Sequence, residues 1–190
     1  MKTRYWIALV VIACLTGVLA TKPVVAYLMN RFAVHNGSWT TSASTGSDSA
    51  NIYERAAIAV AGLYALSNKE AIYYTAFTDS DGQPLDGACD YSLRGSTLPA
   101  RWWSLTMYGA DHYLVDNVAG IYSRHAGNLE FAADKSYSVH ISATAQAHNW
   151  LPAPKSGKFS ITLRLYNPDV TVHENLSGIA LPVITRGGCK

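Results

Sequence analysis

The sequence predicts a mainly β fold, an antiparallel sandwich or jelly roll with one helix packed on it. Eight or so short segments after Lys69 are rich in β-branched and aromatic residues, and Gly, Pro and Asp separate them. The clearest alternation runs through residues 159–166, where Phe, Ile and Leu take turns with Ser, Thr, Arg and Tyr. With 190 residues, 49% of them hydrophobic, the chain can bury one core of ordinary size. We therefore expect one sandwich domain over residues 51–190.

The first 30 residues differ from the rest and predict a membrane anchor or a signal peptide. Two basic residues precede an uncharged apolar run over residues 5–20, and the apolar character resumes after Lys22. An uncleaved anchor would cross the membrane with residues 5–29, whereas a signal peptide would be cleaved near Ala20. In either case the positive N-terminus stays in the cytoplasm and the rest of the chain lies outside. Lipid attachment at Cys14 is a third alternative, disfavoured because the apolar run continues well beyond this residue.

The segments before the sandwich predict a linker and then a helix. Residues 31–50 are rich in Ser, Thr and Gly and poor in apolar residues, which is typical of a flexible tether. Trp39 is the exception and is a candidate for docking elsewhere. Asn51 and Glu54 have the spacing of a reciprocal N-terminal cap, and helical periodicity follows from Ile52 to Leu66. We expect this helix to be the one substantial helix of the soluble part.

The predicted strands share β-branched or aromatic residues and end at turn residues. They cover residues 71–78, 89–93, 102–108, 112–115, 129–131, 137–142, 159–165 and 179–185. The tetrapeptide at residues 79–82, Asp-Ser-Asp-Gly, is a turn signal that imitates the start of a calcium loop. Because no Glu stands at the twelfth position of such a loop, we expect a hairpin turn there.

The three cysteines fit export to an oxidising compartment. Cys14 lies in the apolar run, which leaves Cys89 and Cys189 as a candidate disulfide. This bridge would close a loop of about 100 residues and tie down the C-terminus. Two unpaired thiols are the alternative.

Three segments of the soluble part carry a family resemblance: YERAAIAVAGLYALSNKEAIYYTAFTDSDGQPLDG, LPARWWSLTMYGADHYLVDN and NWLPAPKSGKFSITLRLYNP. From Tyr53 to its C-terminus the chain resembles the domain-of-unknown-function family 1214, a family of bacterial envelope proteins. The resemblance implies a jelly-roll-like β-sandwich, with the soluble domain in the periplasm and the anchor in the inner membrane. It also implies a companion protein of the family numbered 1254, fused upstream or encoded nearby. We expect no companion domain in this chain, so a site shared by the two would be incomplete here.

Two predicted strands carry polar and aromatic side chains on the face opposite their apolar residues. One strand places Trp102 and Tyr108 on this face, and the other places Arg164 and Tyr166 there. If the two faces adjoin, rings, a guanidinium and hydroxyls form a surface suited to a sugar or another planar polar ligand. The structural alternative is that one Trp face packs beneath the helix and the polar groups are merely solvated.

Four further polar residues are candidates for ligand binding, each with a structural alternative. Arg124 can bind a ligand carboxylate or pair with Asp111 through its planar fork. Asp111 also fits a turn in which it accepts hydrogen bonds from its own backbone, and Asn117 flanks the same segment. Asn149 precedes a Trp-Leu-Pro-Ala-Pro corner, where it can bind a ligand or satisfy backbone groups that the prolines leave without donors.

Several other kinds of chemistry find no support in the sequence. The six histidines lack metal-type spacing, and neither a Gly-x-Ser-x-Gly nucleophile motif nor a phosphate-binding loop occurs. We therefore expect no metal and no cofactor. The net charge is +2 without any basic run, so we expect no nucleic-acid partner.

Two functional hypotheses follow, beside a purely structural tether. The first is a non-catalytic, membrane-tethered binding or assembly module that works with the companion protein and takes a small-molecule or glycan ligand. The alternative is an enzyme acting on an envelope or periplasmic substrate, with a glycan as the candidate, through a polar and aromatic pocket near Trp102 and Tyr108 that Asp111, Arg124 and Asn149 surround. This alternative requires these side chains to converge on one concavity.

Overall fold

The structure, a computed structural model, describes residues 2–60 and 65–190, and strands dominate from residue 34 onward. The described residues form three helices and ten strands: α1 (Lys2–Arg31), β1 (Val34–Asn36), β2 (Trp39–Thr41), α2 (Ile52–Val60), β3 (Ala71–Ala76), β4 (Cys89–Gly95), β5 (Ala100–Gly109), β6 (Ser123–His125), β7 (Tyr137–Ser142), β8 (Trp150–Pro152), β9 (Phe159–Pro168), α3 (Val170–Glu174) and β10 (Val183–Cys189). The prediction of a mainly β fold behind an apolar N-terminal helix is confirmed. The jelly-roll connectivity stays a prediction.

The strands form two sheets. The larger sheet has the order β1-β2-β3-β9-β5-β6, and each neighbouring pair in it is antiparallel. The smaller sheet has the order β10-β4-β7-β8, in which β8 runs parallel to β7 with His140 opposite Trp150. The predicted antiparallel pairing is therefore wrong for β7 and β8. Residues 143–149 return the chain beside the middle of β7, so that β8 runs in the same direction as β7.

A hydrophobic core lies between the two sheets. Alternate residues of β9 point into it, and Leu163 and Leu165 are fully buried there. The smaller sheet contributes Leu93, Val139 and Ile141, which are also fully buried. Each such side chain stabilises the fold by about 2 kcal/mol through removal of apolar surface from water. The alternation predicted for residues 159–165 is thus confirmed.

Part of the predicted tether belongs to the larger sheet. β1 and β2 form a hairpin, and β2 pairs with β3. Trp39 on β2 is 1% exposed, and its indole Nε1 donates a hydrogen bond to Pro182 O at 2.7 Å. The prediction of a flexible tether is therefore wrong for residues 34–41, because the pairing of β2 with β3 and the burial of Trp39 together help to offset the cost of ordering the hairpin.

Two of the short predicted strands are wrong. In residues 112–115 His112 has a positive φ of 66°, and the pairing is an isolated bridge between Leu114 and Tyr108. Residues 129–131 pair with no strand; the Asn149 side chain instead accepts from Glu130 N and donates to Glu130 O, both at 2.8 Å. Apolar content alone does not distinguish such segments from strands.

Helix α1 is long and apolar enough to cross a membrane. Within it, Thr3–Thr21 has a mean hydropathy of 1.8, and the side chains along this stretch are exposed. These properties are compatible with a membrane anchor and with a signal peptide.

Helix α2 begins with the predicted reciprocal cap. Asn51 Oδ1 accepts hydrogen bonds from the amides of Tyr53 and Glu54, and Glu54 Oε2 accepts one from Asn51 N at 2.8 Å. Residues 61–64 of the predicted helix lie outside the described residues, and residues 65–66 are not helical. The start of the helix is therefore confirmed and its predicted end at Leu66 is wrong.

The exposed alanines of α2 do not reach the core. Ala56 and Ala59 are exposed, whereas Glu54 and Ile58 border a cavity of about 140 Å³ between α2, the end of α1 and the outer surface of β3. The described part of α2 therefore lies over the larger sheet with a cavity beneath it.

A buried carboxylate connects the turn after β3 to β10. Asp79 is 1% exposed; its Oδ2 accepts from Arg186 Nε at 2.8 Å, and its Oδ1 accepts from the backbone amides of Asp81 and Gln83. Burial alone would raise the pKa of Asp79, but the bonds from Arg186 and the two amides outweigh burial and hold this pKa below its ordinary value. The residues predicted to form a hairpin turn thus also anchor the last strand.

A disulfide joins the first residue of β4 to the last residue of β10. Cys89 and Cys189 lie opposite each other in the β4–β10 register, 100 residues apart in the chain. Lys190 N also donates to Ala88 O at 2.9 Å, so the last residue is attached to the sheet.

Tyr137 is expected to tolerate, or gain from, loss of its hydroxyl. It is 4% exposed and stacks on Trp103 with ring centroids 4.9 Å apart, yet within the described residues its Oη has no hydrogen-bond partner. Burial raises the pKa of Tyr137 accordingly. Since an unpaired buried hydroxyl is destabilising, Tyr137→Phe should leave the free energy of unfolding unchanged or raise it by about 1 kcal/mol, measured by urea denaturation of the full chain in detergent.

Tyr74→Phe is the matched control for this substitution. Tyr74 is also buried, but its Oη donates a hydrogen bond to Leu176 O at 2.9 Å. Removal of this hydroxyl should therefore lower the free energy of unfolding by about 1 kcal/mol. An equal decrease in the free energy of unfolding in both variants would show that the Tyr137 hydroxyl has a stabilising partner.

Candidate functional site: the outer face of the larger sheet

The face of the larger sheet turned away from the core, called here the outer face, carries polar and aromatic side chains from neighbouring strands. Strands β5 and β9 pair so that Trp102 lies opposite Tyr166 and Ser104 lies opposite Arg164. The pairing continues to Tyr108, opposite Ser160. Directly opposed residues of an antiparallel pair point to the same side, so the two faces adjoin as the hypothesis requires.

Three rings form an aromatic group at one end of the outer face. Trp102 is 38% exposed and lies between Tyr166, with ring centroids 5.1 Å apart, and His125, at 5.2 Å. His125 comes from β6, where it pairs with Ser104. The two neighbouring rings hold Trp102 in place, and only the exposed part of its ring is open to contact with a flat ligand face.

Arg164 lies beside this group and is held between two tyrosines. Its guanidinium carbon is 5.4 Å from the ring centroid of Tyr108 and 5.8 Å from that of Tyr73, which pairs with Arg164 from β3. Its Nη2 also donates a hydrogen bond to Tyr108 Oη at 2.5 Å. Cation–π contacts on both sides restrict the side chain, so little further ordering is needed when a ligand binds.

Small hydroxyl residues line the sheet between the large side chains. Ser104, Thr106, Ser160 and Thr162 are all buried, although they belong to the outer face. Thr162 Oγ1 lies 3.1 Å from Thr75 Oγ1 on β3. These short hydroxyl side chains form a polar floor beneath the large side chains of the outer face, which cover it from solvent.

Arg124 and Asp111 lie away from this surface in separate structural contacts. Arg124 is directly opposite Leu105, whose side chain is in the core, and its Nε donates to Trp150 O at 2.7 Å. Asp111 is in the turn after β5, where its Oδ1 accepts from Tyr113 N at 3.1 Å. The expected pair of Arg124 with Asp111 is not formed, and Asp111 instead takes the role of a turn residue.

Asn117 and Asn149 likewise bond to backbone groups. Asn117 donates to Val115 O and Ile121 O and accepts from Ile121 N, which closes its own loop. Asn149 bonds both backbone groups of Glu130, in a left-handed conformation with φ of 43°. At the proline corner that follows, Leu151 is fully buried, whereas Trp150 is half-buried.

A protein-family model described as "Protein of unknown function (DUF1214)" matches residues 70–170, more than half of the chain. The chain belongs to this family. The matched region of the DUF1214 protein contains β3, β5, β6 and β9, the four strands that supply the aromatic group, Arg164 and the hydroxyl floor.

Two solved structures resemble the DUF1214 protein. The VPA0106 protein from Vibrio parahaemolyticus is 28% identical, with a TM-score of 0.61; the match covers 74% of this chain and 36% of that one. A putative uncharacterized protein from Burkholderia cenocepacia is 18% identical, with a TM-score of 0.49 and coverage of 87% and 41%. The chain thus spans about a third of the Vibrio protein and two fifths of the Burkholderia protein. No curated protein matches it.

Sequence reasoning missed two residues of the outer face, Tyr73 and His125. Tyr73 alternates with the core residues Ile72 and Tyr74, but only the β3–β9 pairing places it against Arg164. His125 lies on a three-residue strand that the sequence did not predict. The described residues contain no group of three or more side chains suited to hold a metal ion.

Proposed function

We propose that the DUF1214 protein is a binding module that holds a small polar or saccharide ligand on the outer face. The observation that carries this proposal is that one sheet face bears both a partly exposed ring, Trp102, and an ordered guanidinium, Arg164, which is held at Tyr108. Rings and a few fixed polar groups on one surface are the usual composition of ligand sites.

The same proposal places the sandwich in the periplasm, tethered to the inner membrane by α1 and acting with a companion protein of the family numbered 1254. The length and apolar character of α1 support a tether. Most of the Vibrio protein lies outside the similar region, which supports the idea that a DUF1214 sandwich works beside other folded parts.

Binding is favoured over catalysis because the polar residues that an enzyme would need do not converge. Arg124 bonds Trp150 O, Asp111 bonds its own turn, and Asn149 bonds Glu130. A general acid or base must instead lie within hydrogen-bond reach of the reacting group.

Ligand-induced stabilisation tests the proposal. The full chain in detergent is heated with a panel of glycans and small polar molecules, and in parallel it is used to recover partners from solubilised bacterial envelope. We expect at least one ligand to raise the melting temperature by several degrees, since binding to the folded state alone stabilises it. The Trp102→Ala variant should lose this shift because the stacking platform is gone.

Val183→Ala is the control variant for this experiment. Val183 is 53% exposed on β10 of the smaller sheet, so its truncation removes exposed apolar surface without touching the outer face. With ligand, the melting temperature of this variant should rise as much as that of the wild type. Failure to find any ligand, together with failure to recover any partner, contradicts the proposed function.

A further inference from the structure

A cavity of about 410 Å³, called here the end cavity, lies at the end of the sandwich where β5 begins. Strand β5 contributes Arg101 and Trp103 to its lining, and the loop that leads into β7 contributes Phe131 and Lys135. The end cavity therefore lies between the larger sheet and a loop of the smaller one. Its volume falls in the range of about 300–1,000 Å³ that is usual for ligand pockets.

Arg101 is on the core side of β5, at the point where the core ends. Successive residues of a strand point to opposite sides, so Arg101 shares its side with Trp103 and Leu105, whereas Trp102 belongs to the outer face. Trp103 and Leu105 are buried, and Arg101 is exposed. The end cavity is thus separated from the outer face by the strand itself.

Phe131 gives the end cavity an apolar wall, and two buried rings hold it in place. Its ring lies edge-on to Trp103, with centroids 6.5 Å apart, and to Tyr137, at 5.7 Å. Trp103 and Tyr137 stack on each other and are both buried, whereas Phe131 is 38% exposed. Because the exposed ring is already ordered, a flat apolar ligand can pack against it at little entropic cost.

Two cations border the end cavity, and no lining residue is an Asp or a Glu. Among the described residues, neither salt bridge of the structure includes Arg101 or Lys135. Three carboxylates occur in the neighbouring segments but do not line the end cavity: Glu130, Asp134 and Asp169. Two of them are bonded elsewhere, Glu130 to His148 and Asp134 to Ser136. The cations therefore remain available to an anion.

We propose that the end cavity is a second binding site, separate from the outer face, for an aromatic carboxylate whose ring packs against Phe131 and whose carboxylate lies between Arg101 and Lys135. The planar fork of a guanidinium matches a carboxylate, and the ammonium of Lys135 adds a second charge. Both cations are exposed, so the charge interaction alone is weak and the ring contact is needed as well. The site therefore discriminates against a neutral aromatic compound and against a small anion without a ring.

Calorimetric titration with three matched probes tests this inference. The full chain in a non-ionic detergent is titrated with naphthoate, with naphthamide as its neutral counterpart, and with acetate as an anion without a ring. Protein-free detergent is titrated in parallel to correct for partition of the probes into micelles. We expect naphthoate to bind about fivefold more tightly than either of the other probes, and its affinity to fall as the salt concentration is raised.

Two variants remove the charges, and a third controls for the change in net charge. Arg101→Gln and Lys135→Gln should each weaken naphthoate binding by about threefold and leave naphthamide binding unchanged. Lys155→Gln should bind naphthoate like the wild type, because Lys155 is exposed in the loop before β9, at the opposite end of the β5–β9 pair. All three side chains are exposed, so the variants should fold.

The outcomes separate this inference from the proposed function. Equal affinities for naphthoate and naphthamide, absence of naphthoate binding, or the same loss of affinity in Lys135→Gln and Lys155→Gln would overturn the end cavity as a carboxylate site. None of these results bears on a ligand of the outer face, because that ligand is recognised by its dependence on Trp102. Naphthoate binding that depends on Arg101 and Lys135 supports the end cavity even if no ligand of the outer face is found.

Discussion

Replacing Cys89 and Cys189 together by alanine is expected to lower the free energy of unfolding by as much as about 4.7 kcal/mol, the chain-entropy value for a loop of this length. The loop between them spans 100 residues and includes most of the sandwich. Without the bridge the unfolded chain can adopt more conformations. In the folded state β10, an edge strand of the smaller sheet, loses its covalent link to β4. Urea denaturation of the full chain in detergent, followed by tryptophan fluorescence, measures the change.

Cys14→Ala is the control for the disulfide experiment. Cys14 is an exposed free cysteine on α1, so this variant should unfold like the wild type and should lose stability in the same way when reductant is added. The double variant should be insensitive to reductant. If neither the double substitution nor reduction shifts the urea midpoint, the bridge contributes nothing to stability and the expectation is wrong.

Asp79→Ala is expected to destabilise the protein by about 3 kcal/mol near neutral pH, because two backbone amides and the Arg186 guanidinium would lose their acceptor. The pKa of Asp79 is lowered in the folded state, so its contribution is complete above its ordinary value of 3.8 and is lost as the pH falls through the folded-state pKa. The difference in the free energy of unfolding between the wild type and Asp79→Ala should therefore become smaller below about pH 4. Denaturant titrations at a series of pH values measure both effects.

Asp81→Ala serves as the matched control, since Asp81 is an exposed carboxylate in the same turn. It should change stability little at any pH. Asp79→Asn keeps an acceptor oxygen but not the charge. Its decrease in the free energy of unfolding should therefore lie between those of Asp81→Ala and Asp79→Ala. An Asp79→Ala loss that stays constant from pH 7 to pH 3 would contradict the role of the ionised carboxylate.

The fold could be predicted where the local pattern alone decides the structure. Residues 137–142 and 159–165 alternate without interruption, and both form strands with the expected side in the core. The parallel β8 could not be foreseen, because the direction of a three-residue strand depends on where the preceding loop returns. Trp39 shows a second limit: a Ser- and Thr-rich stretch predicts a linker until the partner of its one large ring is known.

The candidate site was predictable in part for the same reason. Alternation placed Trp102, Tyr108, Arg164 and Tyr166 on the second faces of two strands, and the strand order then brought these faces together. Tyr73 requires knowledge of the pairing between β3 and β9, whose residues are about 90 apart in the chain. The bond between Asp79 and Arg186 spans 107 residues, and no local spacing reveals such a contact.

The β8 edge of the smaller sheet offers few free backbone groups to a further strand. Asn149 and Ala153 bond β7 through their backbones, so the alternate residues of β8 direct their backbone groups outward. Among these groups, the Trp150 carbonyl already accepts a hydrogen bond from Arg124, and Pro152 has no backbone N–H donor. An incoming strand would find few partners along this three-residue edge. Edge-to-edge aggregation through β8 is thereby disfavoured, which leaves the other surfaces of the sandwich, the β10 edge among them, for contacts between copies.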